Sequence, residues 1–317
     1  MPLAAKKKER TSKVTPAELE AAPVVAEEAE EQSAQPKVTA LVYSYDNAPA
    51  LRTCLAALEA STARTLMEIL VVDKGSQDES PGLDAEFPNS TFLRLPRNFG
   101  NTKALNIGMR TAVGELVFFL CPEAEVAPDT VSKLMAWLDA DSDSVAVCPL
   151  ITDEKAAPVE QAYRLPGPQS ASERVPVLVS ASSTEPTVVE CASFQAMMAR
   201  KYFIRGINYL DDRFGEFGAD AELGFQVRRA GRKIKILPDV RVVRSPLNPP
   251  KSSSAAALLK ADRIHGTAVF LGKHYGFFQG LLFRVSQIFK ALLGLQFSLF
   301  GSLITGGKID GSQGVIL

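Results

Sequence analysis

Short β-branched runs alternate with helical hydrophobic patterns from Val38 onward. Apolar runs of four to eight residues predict strands, and apolar residues spaced three or four apart predict helices. The predicted strands are Val38–Tyr45, Glu68–Asp73, Thr91–Leu95, Glu115–Leu120, Val145–Leu150 and Val240–Val243. The predicted helices are Pro49–Ala60, Thr102–Ala112, Pro128–Asp139 and Ala219–Ala230. This alternation predicts an α/β fold with a mainly parallel central sheet flanked by helices.

The chain divides into three parts of unlike composition. Residues 1–36 contain no Phe, Tyr or Trp and no long apolar stretch, so we expect a disordered tail without a secretory signal; a helical arm over Pro16–Glu31 is the alternative. Residues 37–250 form the expected folded domain, with a surface loop at about Asp153–Pro186. Residues 251–317 are expected to form a basic, apolar helical extension.

The overall composition excludes several classes of protein. With 46% hydrophobic residues, 22% charged residues and a net charge of -1, the chain resembles neither a disordered protein nor a general nucleic-acid binder, and we expect no nucleic-acid partner. It lacks the repeated uncharged runs of a polytopic membrane protein. The four cysteines form no C-x-x-C pair, so a reducing, cytoplasmic setting is expected.

The first strand-to-helix turn, Tyr45-Asp46-Asn47-Ala48-Pro49, contains no G-x-G-x-x-G motif and no P-loop. The sequence therefore does not support a dinucleotide site or a P-loop nucleotide site. The residues that follow the predicted strands are instead carboxylates, at the sheet edge where open α/β proteins bind ligands. These carboxylates are Asp46, Asp73, Asp78, Glu123 and Glu125.

Four segments, in order, resemble the motifs of the family 2 glycosyltransferases, and most closely their rhamnosyltransferase-like branch. The segments are Val42–Asp46, Glu68–Asp78, Arg97–Glu115 (with Asn98-Phe99-Gly100 and Asn106-Ile107-Gly108) and Leu210–Gly231. The resemblance covers roughly Val38 to Gly276 and implies a GT-A fold. It also implies inverting transfer of a sugar such as rhamnose from a nucleotide-diphosphate donor to a hydroxyl of a lipid-linked or polysaccharide acceptor, as in cell-envelope polysaccharide synthesis.

The resemblance also implies roles for individual residues. Asp73 would contact the nucleoside with help from Asp46, and Asn98 and Lys103 would belong to the substrate-binding set. A carboxylate suits this task because it accepts hydrogen bonds from ribose hydroxyls and base N–H groups. The alternative for Asp73 is a local one, in which it caps the turn that contains Gly75.

Asp220 matches the family's acceptor-side aspartate and is our candidate for the general base. Inverting transfer needs one carboxylate to take the proton of the attacking hydroxyl. Glu222 stands where a second acidic residue usually follows, and we place it in the substrate-binding set. The alternative is that both acidic residues simply favour the positive end of a helix.

The position of the family's metal motif reads Cys121-Pro122-Glu123-Ala124-Glu125, in which only Glu123 falls on a usual carboxylate position. Mg²⁺ and Mn²⁺ prefer several oxygen ligands. Arg244 stands where the family often has a histidine, and a guanidinium neutralises phosphate but does not bind metal. Two hypotheses stay open: a metal held at Glu123, or metal-independent transfer in which Arg244, with Lys74 or Lys103, takes over the cation's role. A third reading makes Arg244 an exposed strand-end side chain without such a role.

The C-terminal part contains no acidic residue from Tyr275 to Gly307 and is rich in Phe and Leu. Arg284, Lys290 and Gln296 interrupt it, so we expect an amphipathic helix on an anionic membrane surface, at the inner face of the plasma membrane, rather than a spanning helix. Packing against the domain or a dimer partner is the alternative. His265 and His274 lack the H-x-x-x-H spacing of a zinc site.

A second functional hypothesis comes from the altered metal motif. The chain would then be a catalytically weakened relative that binds nucleotide-sugars or glycans, or that scaffolds an assembly complex. The retained Asp73 and Asp220 favour an enzyme, whereas Cys121 and Arg244 favour the weakened relative. Transfer assays with and without Mn²⁺ distinguish the two.

Overall fold

The computed structural model describes residues 35–169 and 175–312. The strands in these ranges are β1 (Val38–Ser44), β2 (Met67–Asp73), β3 (Ser90–Arg94), β4 (Leu116–Leu120), β5 (Ala124–Val126), β6 (Ser144–Thr152), β7 (Ala162–Tyr163), β8 (Thr187–Val189), β9 (Cys191–Ala192), β10 (Ala196–Arg200) and β11 (Lys233–Arg244). The helices are α1 (Ala48–Glu59), α2 (Asn101–Thr111), α3 (Thr130–Ala140), α4 (Lys201–Gly206), α5 (Ala219–Arg229), α6 (Ser253–His274), α7 (Phe277–Leu293) and α8 (Phe297–Ile304).

The strands and helices expected from the hydrophobic pattern are confirmed, with ends that differ by one or two residues in most cases. The main extension is β11, which starts at Lys233 rather than near Val240. Every residue of β1 is buried, because this strand lies between β2 and β4 and is covered on both faces. Helix α1 has Pro49 in its first turn, where the missing N–H costs no hydrogen bond.

The central sheet has the strand order β3-β2-β1-β4-β10-β6-β11-β5, and β8 pairs with the first half of β11, at Ile234–Ile236. Strands β3, β2, β1 and β4 are parallel, as are β6 and β11. Strand β10 runs antiparallel between β4 and β6, so the sheet is mixed although most of its long strands share one direction. A small second sheet joins β7 and β9. The expected α/β fold is confirmed.

This arrangement decides where ligand-facing side chains gather. The carboxyl ends of β1, β2, β4 and β11 meet at one edge of the sheet, so residues separated by up to 200 positions become neighbours there. Open α/β sheets bind their ligands at this edge.

Three helices follow the sheet, as expected for the extension. Ser252 is the N-cap of helix α6, and its hydroxyl accepts a hydrogen bond from the Ala255 N–H at 3.0 Å. Helices α7 and α8 pack on α6 through a small apolar cluster that includes Ala261, Ala291 and Leu303. Within residues 35–169 and 175–312, none of the helices combines the length and the apolar character needed to cross a membrane.

The residues from Gln35 onward form one compact unit. The expected disordered tail, apart from residues 35 and 36, lies outside the described residues. The expected loop at Asp153–Pro186 is partly ordered by Gln161, whose side chain bonds the Ile151 N–H at 2.6 Å and the Pro149 carbonyl at 2.8 Å. Residues 170–174 of that loop lie outside the described ranges. The division at residue 250 stays a prediction.

Candidate functional site

A cleft of about 1570 Å³ lies at the carboxyl edge of the sheet. Its floor consists of the ends of β1, β4 and β11, and its walls consist of the loop before α5, the first turn of α5 and one face of α6. The expected site residues that line it are Asp46, Asn98, Glu123, Asp220 and Arg244, together with Lys74. The structure therefore brings most of the candidate residues into one cavity.

Tyr45 and Asp46 form the first part of the cleft, directly after β1. The Tyr45 ring has Lys74 Nζ at 5.8 Å and Lys251 Nζ at 5.9 Å from its centroid, within the range of cation–π attraction. Asp46 adopts a left-handed backbone conformation, and its carboxylate accepts a hydrogen bond from the Gln77 N–H at 2.6 Å. The same carboxylate pairs with Lys251, which ties the segment before α6 to the end of β1.

Lys74 is a buried cation in the wall of this cleft. Its Nζ lies 3.0 Å from Glu216 Oε1 and donates to Asn101 Oδ1 at 2.7 Å. Glu216 also accepts the Asn101 backbone N–H at the start of α2, at 3.1 Å. Because a buried ion pair is stable only when its polar atoms are well satisfied, this network fixes the loop that precedes α5.

Asp73 makes the local contacts that the sequence analysis gave as an alternative, and its contact with a nucleoside stays a prediction. It is 2% exposed and does not line the cleft. Its carboxylate accepts the Ser76 N–H at 3.2 Å and the Ser76 hydroxyl, so it caps the turn through Gly75. Burial raises the pKa of the Asp73 carboxyl, and the hydrogen bonds from Ser76 offset only part of that rise.

The ends of β4 and β11 form the second part of the cleft. The Glu123 carboxylate accepts a hydrogen bond from Asn47 Nδ2 at 2.8 Å. Arg244 Nη1 donates to Gln195 Oε1 at 2.6 Å. Arg244 Nε is buried and has no hydrogen-bond partner among the described residues. A buried guanidinium N–H without an acceptor is costly, which makes this part of the cleft suited to an anionic ligand.

Asp220 lies in the first turn of α5 and is 7% exposed. Its Oδ1 accepts the Ala221 N–H at 2.9 Å. The charge of this carboxylate acts on the buried phenol of Tyr43. Burial raises the pKa of the Tyr43 phenol well above its usual value, and the nearby Cys121 thiol and the carboxylates of Glu123, Glu216 and Asp220 raise it further. These acidic groups therefore surround one phenol.

Asn98 presents an unused donor to the cleft. Its Oδ1 accepts the Gly100 N–H at 2.8 Å, whereas its Nδ2 is buried without a partner in the described part of the chain. This donor is available to a hydroxyl or phosphate oxygen.

Besides Asp73, two more expected binding residues lie outside the cleft. Glu222 is bonded to His274 Nε2 at 2.6 Å and to Lys273 Nζ at 2.9 Å, and it lines a smaller, separate cavity of about 370 Å³. Residues two apart on a helix face opposite sides, so Glu222 points away when Asp220 points into the cleft. Lys103 lies on the exposed side of α2, where its Nζ is 3.8 Å from Asp212. A binding role for either residue stays a prediction that this geometry does not favour.

A family model described as glycosyl transferase family 2 matches residues 39–206, more than half of the chain. The chain belongs to glycosyl transferase family 2. The matched residues include β2, β4 and β1 from Thr39 onward, whereas β11 lies outside the match.

Curated members of the family resemble the chain over part of their length. An N-acetylglucosaminyltransferase of Mesorhizobium japonicum is 25% identical over 220 residues, which is 64% of this chain and 50% of that protein. A second N-acetylglucosaminyltransferase, of Sinorhizobium fredii, is 31% identical over 32% of this chain and 26% of its own length. An undecaprenyl-phosphate 4-deoxy-4-formamido-L-arabinose transferase of Enterobacter sp. is 35% identical over 25% of each chain. The chain thus spans half or less of these relatives.

Solved structures confirm the GT-A-like fold of this family 2 member. GalNAc-T7, solved with UDP, GalNAc and Mn²⁺, matches with a TM-score of 0.55 and 16% identity over 78% of this chain and 56% of that one. S. aureus TarS in complex with UDP-GlcNAc matches with a TM-score of 0.52 and 16% identity over 75% and 72% of the two chains. At this identity the likeness concerns the fold alone.

The residues at the end of β4 do not fit a tightly bound divalent cation. The described residues contain no group of three or more His, Cys, Asp or Glu side chains that could hold a metal. Burial, and then the charge of Glu123, raise the pKa of the Cys121 thiol well above its usual value, so the thiol stays protonated and is a poor ligand. Asn47 occupies one oxygen of Glu123, and Arg244 adds a positive charge to the site. An altered metal motif at this position stays a prediction from the sequence.

Sequence reasoning missed several residues of the site. Glu216, Gln195 and Lys251 position Lys74, Arg244 and Asp46. Gln195 and Lys251 lie outside the four family-like segments, and Glu216 lies within Leu210–Gly231 without matching a motif residue. Lys251 opens the basic C-terminal part, which was the only available signal for it. Glu216 and Gln195 lie in irregular segments without periodicity, so their partners follow from the tertiary structure alone.

Proposed function

We propose that this family 2 glycosyltransferase is an inverting enzyme that transfers a sugar from a nucleotide-diphosphate donor to a hydroxyl of a lipid-linked or polysaccharide acceptor. The observation that carries the proposal is the presence of Asp220 and Arg244 in one cleft at the carboxyl edge of the sheet. Asp220 would accept a proton from the acceptor hydroxyl, and Arg244 would stabilise the charge of the leaving diphosphate. We keep residues 37–250 as the glycosyltransferase domain and 251–317 as its extension.

The donor nucleotide would occupy the β1–β2 part of the cleft. The Tyr45 ring, held between two lysines, offers a stacking surface for a base, and Asp46 and Asn98 offer hydrogen-bonding groups. The names of the two N-acetylglucosaminyltransferase relatives, and the UDP-GlcNAc complex of TarS, favour UDP-N-acetylglucosamine as the first donor to test. A rhamnose-like sugar, implied by the sequence motifs, is the second.

The transfer step needs a base for the acceptor hydroxyl and a leaving group on the anomeric carbon of the donor sugar. Asp220 would take the proton of the acceptor hydroxyl while its oxygen bonds to the anomeric carbon from the side opposite the diphosphate. The bond from that carbon to the phosphate oxygen breaks, and the nucleotide diphosphate leaves with the electron pair. The configuration at the anomeric carbon inverts because attack and departure occur on opposite faces.

Arg244 would stabilise the negative charge that develops on the diphosphate. Gln195 fixes one end of its guanidinium, which leaves the buried Nε free to donate to a phosphate oxygen. Charge-assisted hydrogen bonds of this kind are among the strongest in proteins. We therefore propose transfer without a tightly bound metal, with Mg²⁺ or Mn²⁺ at Glu123 as the alternative to be tested.

The exposed apolar face of α7 would rest on an anionic membrane, which places the cytoplasmic enzyme at the inner face of the plasma membrane. Eight of its large apolar side chains are exposed: Phe277, Phe278, Leu281, Leu282, Val285, Phe289, Leu292 and Leu293. The absence of acidic residues from Tyr275 to Gly307 gives this face complementary charge. Sedimentation with phosphatidylglycerol vesicles, but not with phosphatidylcholine vesicles, would support this placement. Equal sedimentation of a Phe278→Asp/Phe289→Asp variant would contradict it, and a concentration-dependent dimer would point to the face as a self-association surface.

The enzyme assay follows sugar release and transfer from UDP-N-acetylglucosamine and dTDP-rhamnose, with EDTA or with Mn²⁺. Thermal shift with UDP, GDP and dTDP first identifies the nucleotide. We expect activity that survives EDTA, falls by about 100-fold or more in Arg244→Gln, and is partly retained in Arg244→Lys. Arg205→Gln, which removes an exposed arginine outside the cleft, is the matched control.

A second candidate function rests on the altered metal position. If the wild type binds a nucleotide but turns over neither donor under any metal condition, the chain is a nucleotide-sugar-binding relative rather than an enzyme. Activity that requires Mn²⁺ and is unaffected by Arg244→Gln would replace the arginine mechanism with a metal-dependent one.

A further inference from the structure

One face of α6 forms a wall of the cleft. Six residues at helical spacing line it: Ala256, Leu259, Lys260, Arg263, Ile264 and Thr267. From α7, Phe283 and Gln287 complete this wall. The wall therefore combines two cations with apolar side chains, and neither cation belongs to a motif of the donor site.

Lys260 and Arg263 have no carboxylate partner among the described residues. Lys260 Nζ donates to the amide oxygen of Gln296 at 3.1 Å, and the Arg263 guanidinium lies 4.5 Å from the centroid of the Phe217 ring. The neighbouring Asp262 does not neutralise them, because its oxygens accept backbone N–H groups of Glu216, Phe217 and Ile309. Like charges three residues apart on a helix repel each other, so an anion between them would be stabilising.

Two other cations of the cleft differ in this respect. Lys74 is paired with Glu216, and Lys251 is paired with Asp46. Among the described residues that line the cleft, Arg164 and Arg244 also have no carboxylate partner, and the donor diphosphate is expected at Arg244. The α6 pair lies on a different element and places two cations one helical turn apart, which indicates a second anionic group.

The α6 position lies next to the catalytic loop. Phe217, on which Arg263 stacks, is three residues before Asp220, and Gly266 packs so closely that an added Cβ would lie 2.6 Å from the Phe217 carbonyl oxygen. A ligand held on this side of the cleft would reach the proposed base from the acceptor side.

We propose that Lys260 and Arg263 bind a phosphate group carried by the acceptor, and that Leu259, Ile264 and Phe283 contact hydrocarbon attached to that phosphate. The proposal rests on the glycosyltransferase function proposed above and names the acceptor class. A phosphate attached to a hydrocarbon chain and a phosphate attached to a soluble acceptor would bind Lys260 and Arg263 in the same way. Only the hydrocarbon-linked phosphate would also contact the three apolar side chains.

The test is calorimetric titration of the full-length protein with geranyl diphosphate, inorganic pyrophosphate, geraniol and UDP. We expect Lys260→Gln/Arg263→Gln to weaken geranyl diphosphate binding about tenfold or more and to leave UDP binding within about twofold. Arg244→Gln should show the reverse pattern. Lys290→Gln/Arg205→Gln, which also removes one lysine and one arginine but outside the cleft, should change neither.

The probes distinguish the source of the phosphate. Tighter binding of geranyl diphosphate than of pyrophosphate, with no binding of geraniol, assigns the subsite to a hydrocarbon-linked acceptor. Equal binding of geranyl diphosphate and pyrophosphate, still lost in Lys260→Gln/Arg263→Gln, keeps the phosphate subsite and overturns the hydrocarbon contact. Lys260→Arg/Arg263→Lys preserves both charges and should retain binding, which separates loss of charge from loss of packing on Phe217.

The proposal is overturned if Lys260→Gln/Arg263→Gln binds geranyl diphosphate as the wild type does, or if the control or Arg244→Gln loses it equally. If the double variant does not fold, the single Lys260→Gln variant, which changes an exposed side chain, is used instead. It should also weaken geranyl diphosphate binding, by a smaller factor. Absence of UDP, GDP and dTDP binding in the wild type would contradict the proposed function instead. If the wild type binds a nucleotide but its affinity for geranyl diphosphate does not depend on Lys260 and Arg263, the phosphate subsite is contradicted and the proposed function is not.

Discussion

The Asp262 carboxylate accepts a hydrogen bond from the Ile309 N–H at 2.8 Å. Its other oxygen accepts the N–H groups of Glu216 and Phe217, both at 2.9 Å. One buried side chain of α6 therefore holds both the segment after α8 and the loop before Asp220. The C-terminal extension is a structural support of the proposed active site, in addition to any contact it makes with a membrane.

Asp262 should make stability depend on pH. Burial raises the pKa of its carboxyl to about 7, because the hydrogen bonds from Ile309, Phe217 and Glu216 offset only part of the desolvation. In the unfolded chain the group titrates near pH 4. The folded state binds the extra proton between these values, so this stabilisation is complete below about pH 4 and is lost as the pH rises towards 7.

The measurement is urea unfolding from pH 4 to 8 of the wild type and of Asp262→Asn, which does not titrate. A shift of about three pKa units corresponds to about 4 kcal/mol, so the free energy of unfolding of the wild type should fall by about 2–4 kcal/mol more than that of the variant across this range. Other titrating groups affect both proteins equally. Parallel pH profiles would show that Asp262 titrates as an ordinary carboxyl.

Gly215→Ala should disrupt the same contact from the opposite side. A Cβ at Gly215 would lie 2.0 Å from Asp262 Oδ1 and 3.1 Å from the Ile309 nitrogen, so the carboxylate has to move. We expect a loss of about 2–3 kcal/mol of unfolding free energy, from overpacking and lost hydrogen bonds. Gly301→Ala, where nothing lies within 4 Å, is the control and should be neutral or slightly stabilising. Equal stability of the two variants would contradict the tight packing at Gly215.

Asp220→Asn should remove the proposed base and retain the donor site. Turnover should fall by about 100- to 10,000-fold, while the dissociation constant of UDP stays within about threefold. Glu160→Gln removes another carboxylate of the cleft lining and should retain most of the activity. If Asp220→Asn keeps more than a tenth of the wild-type turnover, a different group is the base.

Glu222→Gln should lower stability rather than substrate affinity. Hydrogen bonds from Gln226, His274 and Lys273 lower the pKa of Glu222 against the opposing effect of burial, so its charge is stabilising in the folded state. We expect a loss of about 1–3 kcal/mol, with the donor KM unchanged. In a double-mutant cycle, Glu222→Gln and His274→Gln should be less than additive because they share one contact. A raised KM without a stability change would restore Glu222 to the substrate-binding set.

Features that depend on neighbouring residues in the sequence were predictable, and features that depend on contacts between distant residues were not. The strands and helices were predictable because the spacing of apolar residues is a local property of the sequence. The separation of Asp220 from Glu222 was predictable as well, since helix geometry alone places residues two apart on different sides. The local role of Asp73 was one of two stated alternatives. The structure shows the turn-capping contacts with Ser76, and the nucleoside contact of Asp73 stays a prediction.

The residues alone are enough to recognise the family 2 motifs, the order of the βα units and the edge of the sheet at which carboxylates gather. Which cations are paired with a carboxylate depends on the tertiary structure. Lys74 meets Glu216 across 142 positions and Lys251 meets Asp46 across 205, whereas Lys260 and Arg263 meet no carboxylate among the described residues. Partners of this kind are set by how helices and loops pack, and no periodicity in the chain encodes that packing.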